Sequence, residues 1–135
     1  MYPLIRILIV VAVALALLVP SAMATSIPAD QVDAQSIYVG NPANFEIPAS
    51  VNYEKVVKAT PEFKELRKMK IDKGSAQYWI LVSRASEHAV RAIKNVAGDG
   101  GYDLVGEKDY LAELTPAIAA EEITDKVLTA IADEE

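Results

Sequence analysis

Tyr78, Val82, Ala85, Ala89, Ala92 and Val96 follow one another at alternating spacings of four and three residues. That rhythm holds one stripe of a helix toward a partner, as in a coiled-coil seam, and alanines within it permit close approach. The spacing predicts a helix N-capped by Ser75, running to Ala97 and stopped by Gly98. At 1.5 Å per residue it would be about 35 Å long. The segment before it supplies a partner. Thr60-Pro61 reads as an N-cap and first-turn pair, and Phe63, Leu66 and Met69 recur every three residues in a helix taken to Asp72. Lys64, Glu65, Arg67 and Lys68 fill its other face, Lys70 and Lys73 favour its C-terminal dipole, and Gly74 suits the left-handed stop. The two helices predict an antiparallel hairpin with Val82, Ala85, Ala89, Ala92 and Val96 as its seam. Tyr78, Trp79, Ile80, Leu81 and Val82 are apolar on every side of such a helix, so some must meet a second surface. A buried strand over Gln77 to Ser83 is the competing reading.

Around the hairpin the signals are shorter. Residues 25–46 read as an extended, poorly packed lead-in, with turns at Gly40 and Asn41-Pro42 and a short strand at Ser36 to Val39. A second strand is expected from Glu46 to Val51, with Pro48 at a strand start or sheet edge. Asn52 caps a helix from Tyr53 to Ala59. Tyr102 to Gly106 reads as a strand and Asp109 to Leu114 as another beyond a Glu107-Lys108 turn, giving a small sheet. Thr115-Pro116 is a further N-cap pair, and Ile123, Val127, Leu128 and Ile131 mark a C-terminal amphipathic helix. The fold class expected is α+β, a helical hairpin with a C-terminal helix on a small sheet.

The N-terminus reads as an export signal. Arg6 precedes an apolar run from Ile7 to Val19, followed by Pro20 and small residues, with Ala22 and Ala24 where a signal peptidase needs small side chains. Cleavage is expected after Ala24, and the run is short of the roughly 20 apolar residues that cross a bilayer. An uncleaved anchor over residues 7–19 is the alternative. Removing 24 of the 135 residues leaves 111, enough for one domain, here residues 47–135 plus the lead-in. The segment removed has one charge, so the mature chain carries 12 cations against 19 anions, a formal −7. Nucleic acid, which needs a basic face, is not an expected partner.

Catalytic equipment is absent from the sequence as read. There is no cysteine, which excludes disulfides, thiolate metal sites and a lipidated cysteine. His88 is the single histidine, expected on a helix surface and too isolated for a metal site or a Ser-His-Asp unit. Gly98-Asp99-Gly100-Gly101 follows a helix instead of opening one, so it is no phosphate loop, and Asp99 and Asp103 lack the ligand spacing of a calcium loop. Glu121-Glu122 and Asp133-Glu134-Glu135 read as surface charge on the last helix. No catalytic residue, metal or cofactor is expected.

Two blocks bear a family likeness. Arg91-Ala92-Ile93-Lys94-Asn95-Val96-Ala97 followed by Gly101-Tyr102-Asp103-Leu104-Val105, and Glu122-Ile123-Thr124-Asp125-Lys126-Val127-Leu128, resemble the helix-to-strand passage and closing helix of the Skp (OmpH) family of periplasmic chaperones. Val51 to Val57 and Pro61 to Lys64 resemble that family's first strand and the start of its first long helix. The resemblance implies a trimerising body with projecting helical arms that hold unfolded outer-membrane proteins without ATP. This chain would be a short-armed member, with arms as acidic as the chain. Tyr78, Trp79, Ile80, Leu81 and Val82 would then bind clients near the arm tip, or be core, buried between protomers or folded back on Phe63 and Leu66. The leading expectation is a periplasmic chaperone-like protein binding unfolded or nonpolar segments of envelope proteins. The alternative is a non-catalytic structural or assembly module of the envelope.

Overall fold

A computed structural model describes residues 25–135. The expected signal segment 1–24, its cleavage point and the apolar run 7–19 lie outside those residues. The described chain is mixed α+β, with five α-helices and a four-stranded sheet. In order it forms β1 (Ile37–Gly40), β2 (Pro48–Val51), α1 (Tyr53–Ala59), α2 (Pro61–Lys68), α3 (Ala76–Gly100), β3 (Leu104–Glu107), α4 (Lys108–Glu113), β4 (Glu121–Glu122) and α5 (Thr124–Asp133). The strands lie in the order β1-β3-β2-β4, with β1 antiparallel to β3 and β2 parallel to both of its neighbours. Parallel neighbours cannot be joined by a tight turn. Helices α1, α2 and α3 make the crossover from β2 to β3.

The two-residue period of β3 sorts side chains into two cores. Val105 faces Ala49, Val51, Val56, Ala89, Ala92, Ile93, Ala97, Ile123, Val127 and Ile131 on the side of α1, α3 and α5. Leu104 faces the other way, into Ile27, Phe45, Leu111 and Leu114. Gly106 shares the Leu104 face, and a Cβ there would lie 3.0 Å from Leu111. Its bare backbone is what lets α4 sit so close to the sheet.

The local caps are those the sequence announces. The side chains of Asn52, Thr60 and Ser75 accept hydrogen bonds from the backbone N–H groups of Lys55, Phe63 and Tyr78, with Pro61 in the first turn of α2. Several expectations are corrected. The lead-in is packed: Thr25 and Phe45 exchange backbone hydrogen bonds of 2.6 and 2.9 Å, which brings buried Ile27 and Phe45 into the second core. The expected strand Asp109 to Leu114 is instead the helix Lys108–Glu113 with Leu114 as its C-cap, and Leu111 and Leu114, which a strand would turn to opposite sides, both enter the second core. Thr115-Pro116 opens no helix. Its peptide bond is cis, and the Gln31 amide donates to the Thr115 carbonyl at 2.8 Å while accepting from its N–H at 2.9 Å.

Both long-helix ends also move. Helix α2 ends at Lys68, and Lys70, not Gly74, takes the left-handed conformation at φ 48°. The Ile71 N–H then donates back to the Leu66 carbonyl at 3.4 Å, which returns a half-buried Ile71 toward the helix. Helix α3 runs past Gly98 to Gly100, and Gly101 takes the left-handed position at φ 74°. The Tyr102 N–H closes that end on the Ala97 carbonyl at 2.9 Å. Gln77 to Ser83 lies inside α3, so the strand alternative is set aside. No helix of the described residues is long and apolar enough to cross a membrane.

Candidate functional site

Helices α2 and α3 pack on each other across the link Met69 to Ser75. Leu66 and Leu81 are buried, yet neither belongs to the two cores of the sheet. This end of the helix pair therefore has a small interface of its own, with the five apolar residues from Tyr78 to Val82 around it. A helix turns 100° per residue, so they cannot act as one patch. Leu81 points inward, Tyr78 and Val82 are half-buried, and Trp79 and Ile80 are 62% and 51% exposed. Of the five, Trp79 and Ile80 are therefore the ones presented to solvent, with Tyr78 set edge-to-face against Trp79 at 5.2 Å between ring centroids.

Sequence reasoning missed Met69. Its three-residue spacing from Leu66 puts it on the buried face of a longer helix, but α2 has already ended there, and Met69 is 54% exposed at the same end of the pair as Trp79. Of the five large apolar residues exposed among the described residues, Met69, Trp79 and Ile80 gather here, while Val32 and Ile47 lie elsewhere. Only the unforeseen stop at Lys68 could have revealed it.

The seam is partly as expected. Ala85, Ala89 and Ala92 are buried, as are Leu81, Ile93 and Ala97, whereas Val82 and Val96 at its two ends are only half-buried. The buried row Leu81, Ala85, Ala89, Ile93, Ala97 steps by four throughout, so it drifts around the helix instead of holding a heptad stripe. It drifts because α3 changes partner along its length, from α2 to α1, α5 and the sheet.

Charge is segregated in a way the net value conceals. Residues 61–94 carry eight cations and four anions, while residues 25–60 and 95–135 carry four cations and fifteen anions. The expectation of acidic arms is therefore corrected: with Asp99 near the end of α3 counted, the helix pair is formally +3 and the rest of residues 25–135 is −10. Lys64, Arg67, Lys68, Lys70 and Arg84 are all exposed on it, with the Arg67 guanidinium 5.0 Å from the Phe63 ring centre.

His88 is not a surface residue. Its side chain is only 12% exposed and lies between Glu62 and Glu134, with Nδ1 2.9 Å from one Glu62 oxygen and Nε2 2.5 Å from Glu134. The acidic clusters are likewise relocated. Glu121-Glu122 is the edge strand β4, where Glu121 meets the Tyr102 hydroxyl and Glu122 meets Lys108 at 3.3 Å. Glu134 and Glu135 reach back to His88 and Lys64. Asp103 accepts hydrogen bonds of 2.7 Å from the backbone N–H groups of Glu46 and Ile47, which makes it a loop staple. Tyr38 stacks on Tyr53 and donates to Glu107 at 2.9 Å; burial first, then that carboxylate, pushes its phenol pKa up. No group of three or more histidine or acidic side chains among the described residues is placed to hold a metal ion.

The chain matches no family model, no curated protein and no solved structure.

Proposed function

We propose that this chain is a non-catalytic, chaperone-like protein of the periplasm, a short-armed relative of the Skp (OmpH) family. In this reading it binds unfolded or nonpolar segments of outer-membrane and other envelope proteins without ATP, and the pair α2 and α3 is its shortened hairpin arm. The observation that carries the reading is the joint exposure of Met69, Trp79 and Ile80 at the arm's end, on the one cationic part of an acidic chain. Apolar side chains left in water gain about 1.5–3 kcal/mol each when a client buries them. Trp and Met suit varied clients, because one offers a large rigid face and the other an adaptable thioether. The surrounding cations give attraction without fixed geometry.

Trp79 is the sole tryptophan, so its fluorescence reports directly on the site. Mixing the mature protein with a urea-unfolded outer-membrane β-barrel is expected to shift Trp79 emission to the blue and to suppress light scattering from client aggregation. Trp79→Ser combined with Ile80→Ser should abolish suppression while leaving far-UV circular dichroism unchanged. Full suppression by the double variant would overturn the assignment. If the double variant instead dissociates an oligomer seen by light scattering behind a sizing column, the surface is an assembly interface and the chain a structural module. Leu81 is left out of the double variant because it is buried, and serine there would damage the fold.

A further inference from the structure

His88 sits on α3 facing two elements at once: Glu62 from the first turn of α2 and Glu134 from the end of α5. The contacts lie on opposite nitrogens of one ring. Nδ1 is 2.9 and 3.2 Å from the two Glu62 oxygens, and Nε2 is 2.5 Å from Glu134 Oε2. A neutral imidazole has one N–H and one lone pair, so it can satisfy one carboxylate but must turn a lone pair toward the other. Only the imidazolium donates to both. The two carboxylates lie on opposite sides of the ring and cannot converge on one ion, which agrees with the lack of a metal-holding group among the described residues.

We propose that Glu62, His88 and Glu134 form a pH-sensitive clasp that fastens both α2 and α5 to α3 while the imidazole is charged, and lets go of one of them when it is neutral. The other charged groups nearby support the arrangement. Arg91, one turn along α3, acts on Glu62. Lys64 and Glu135 form a second, more exposed bridge between α2 and the chain end at 3.3 Å. On α1, Lys58 is occupied by Glu54 in solvent.

The direction of the response follows from the partners. Burial on its own lowers the His88 pKa, but the hydrogen bonds to Glu62 and Glu134 outweigh it and raise the pKa above its ordinary value. For Glu62, burial acts upward and is outweighed by the hydrogen bond to His88, so its pKa falls. A raised histidine stabilises fully below its unfolded value and loses that contribution as pH climbs through the folded value; a lowered carboxyl loses its contribution as pH falls through its own. The clasp is therefore strongest between about pH 4.5 and 6.5, the ordinary values of the two groups. It rests on the folded geometry alone and stands whether or not the helix pair binds clients.

His88 is the only histidine, so nitrogen-detected NMR of the full mature chain gives one imidazole to titrate. At pH 6 both ring nitrogens are expected to carry protons, with a titration midpoint above 6.5. Hydrogen exchange, normalised for intrinsic rates, should show either residues 61–68 or residues 124–133 losing protection through that midpoint, while 104–107 stay protected. Glu134→Gln, at a half-exposed site that tolerates it, should lower the midpoint and carry the protection step down with it. A midpoint at or below 6.5, protection in both helices unchanged across the titration, or a midpoint indifferent to Glu134→Gln would each overturn the clasp.

Discussion

The space beside two glycines of this chain differs enough that the same substitution should act in opposite directions. A Cβ on Gly106 would lie 3.0 to 3.1 Å from three atoms of Leu111, whose side chain is 1% exposed and has nowhere to retreat. Gly106→Ala is expected to cost about 1–3 kcal/mol and to lower the melting temperature in a calorimetric scan. Gly98 lies within α3 with nothing within 4 Å of a Cβ, so Gly98→Ala should stabilise by about 0.5–1 kcal/mol. The second substitution also separates the two readings of the helix end. Were Gly98 the left-handed stop that its sequence context suggests, alanine there would destabilise. Nothing at residue scale in the sequence distinguishes Gly98 from Gly101, because the choice depends on where Tyr102 must rejoin the sheet.

Among the elements, legibility tracks the range of the forces involved. The caps at Asn52, Thr60 and Ser75 were readable because a cap involves a side chain and an N–H three residues away. Thr60 does more than cap: it is fully buried, accepts from the Phe63 N–H at 3.3 Å and donates to the Val57 carbonyl at 2.6 Å, so it joins α1 to α2. Thr60→Ala should cost about 0.5–2 kcal/mol, read as a lower midpoint in urea unfolding. The failures were non-local. Ile27 and Phe45 carry no periodicity, and only the pairing of Thr25 with Phe45 shows that they share a core with Leu111. The helix α4 resembled a strand because six residues contain too little of either period to decide. Of the candidate site, Trp79 and Ile80 were visible as excess apolar residues; Met69 was not, since its exposure follows from an early helix end that only tertiary structure fixes. The partners of His88 come from two other helices and leave no mark in sequence spacing.

At the scale of the molecule, the acidic balance of the whole chain hid a cationic helix pair, and this has a measurable effect. If residues 61–94 attract acidic client segments, capture should weaken as salt rises above about 0.15 M, where the screening length is near 8 Å, while the apolar share of binding persists. Titrating the Trp79 emission shift at several ionic strengths checks this, and a salt-independent affinity would leave the apolar residues as the whole interaction. The sheet has another consequence, for the order of events in time. A polypeptide emerges from its N-terminus, yet Ile37 pairs with Gly106, and Pro48 pairs with Leu104, so neither early strand has its β3 partner until residues 104–107 have been made. Until then β1 and β2 are short bare ribbons with open edges, available to any neighbour. A protein proposed to shelter the unfinished chains of others thus spends its own first moments as one.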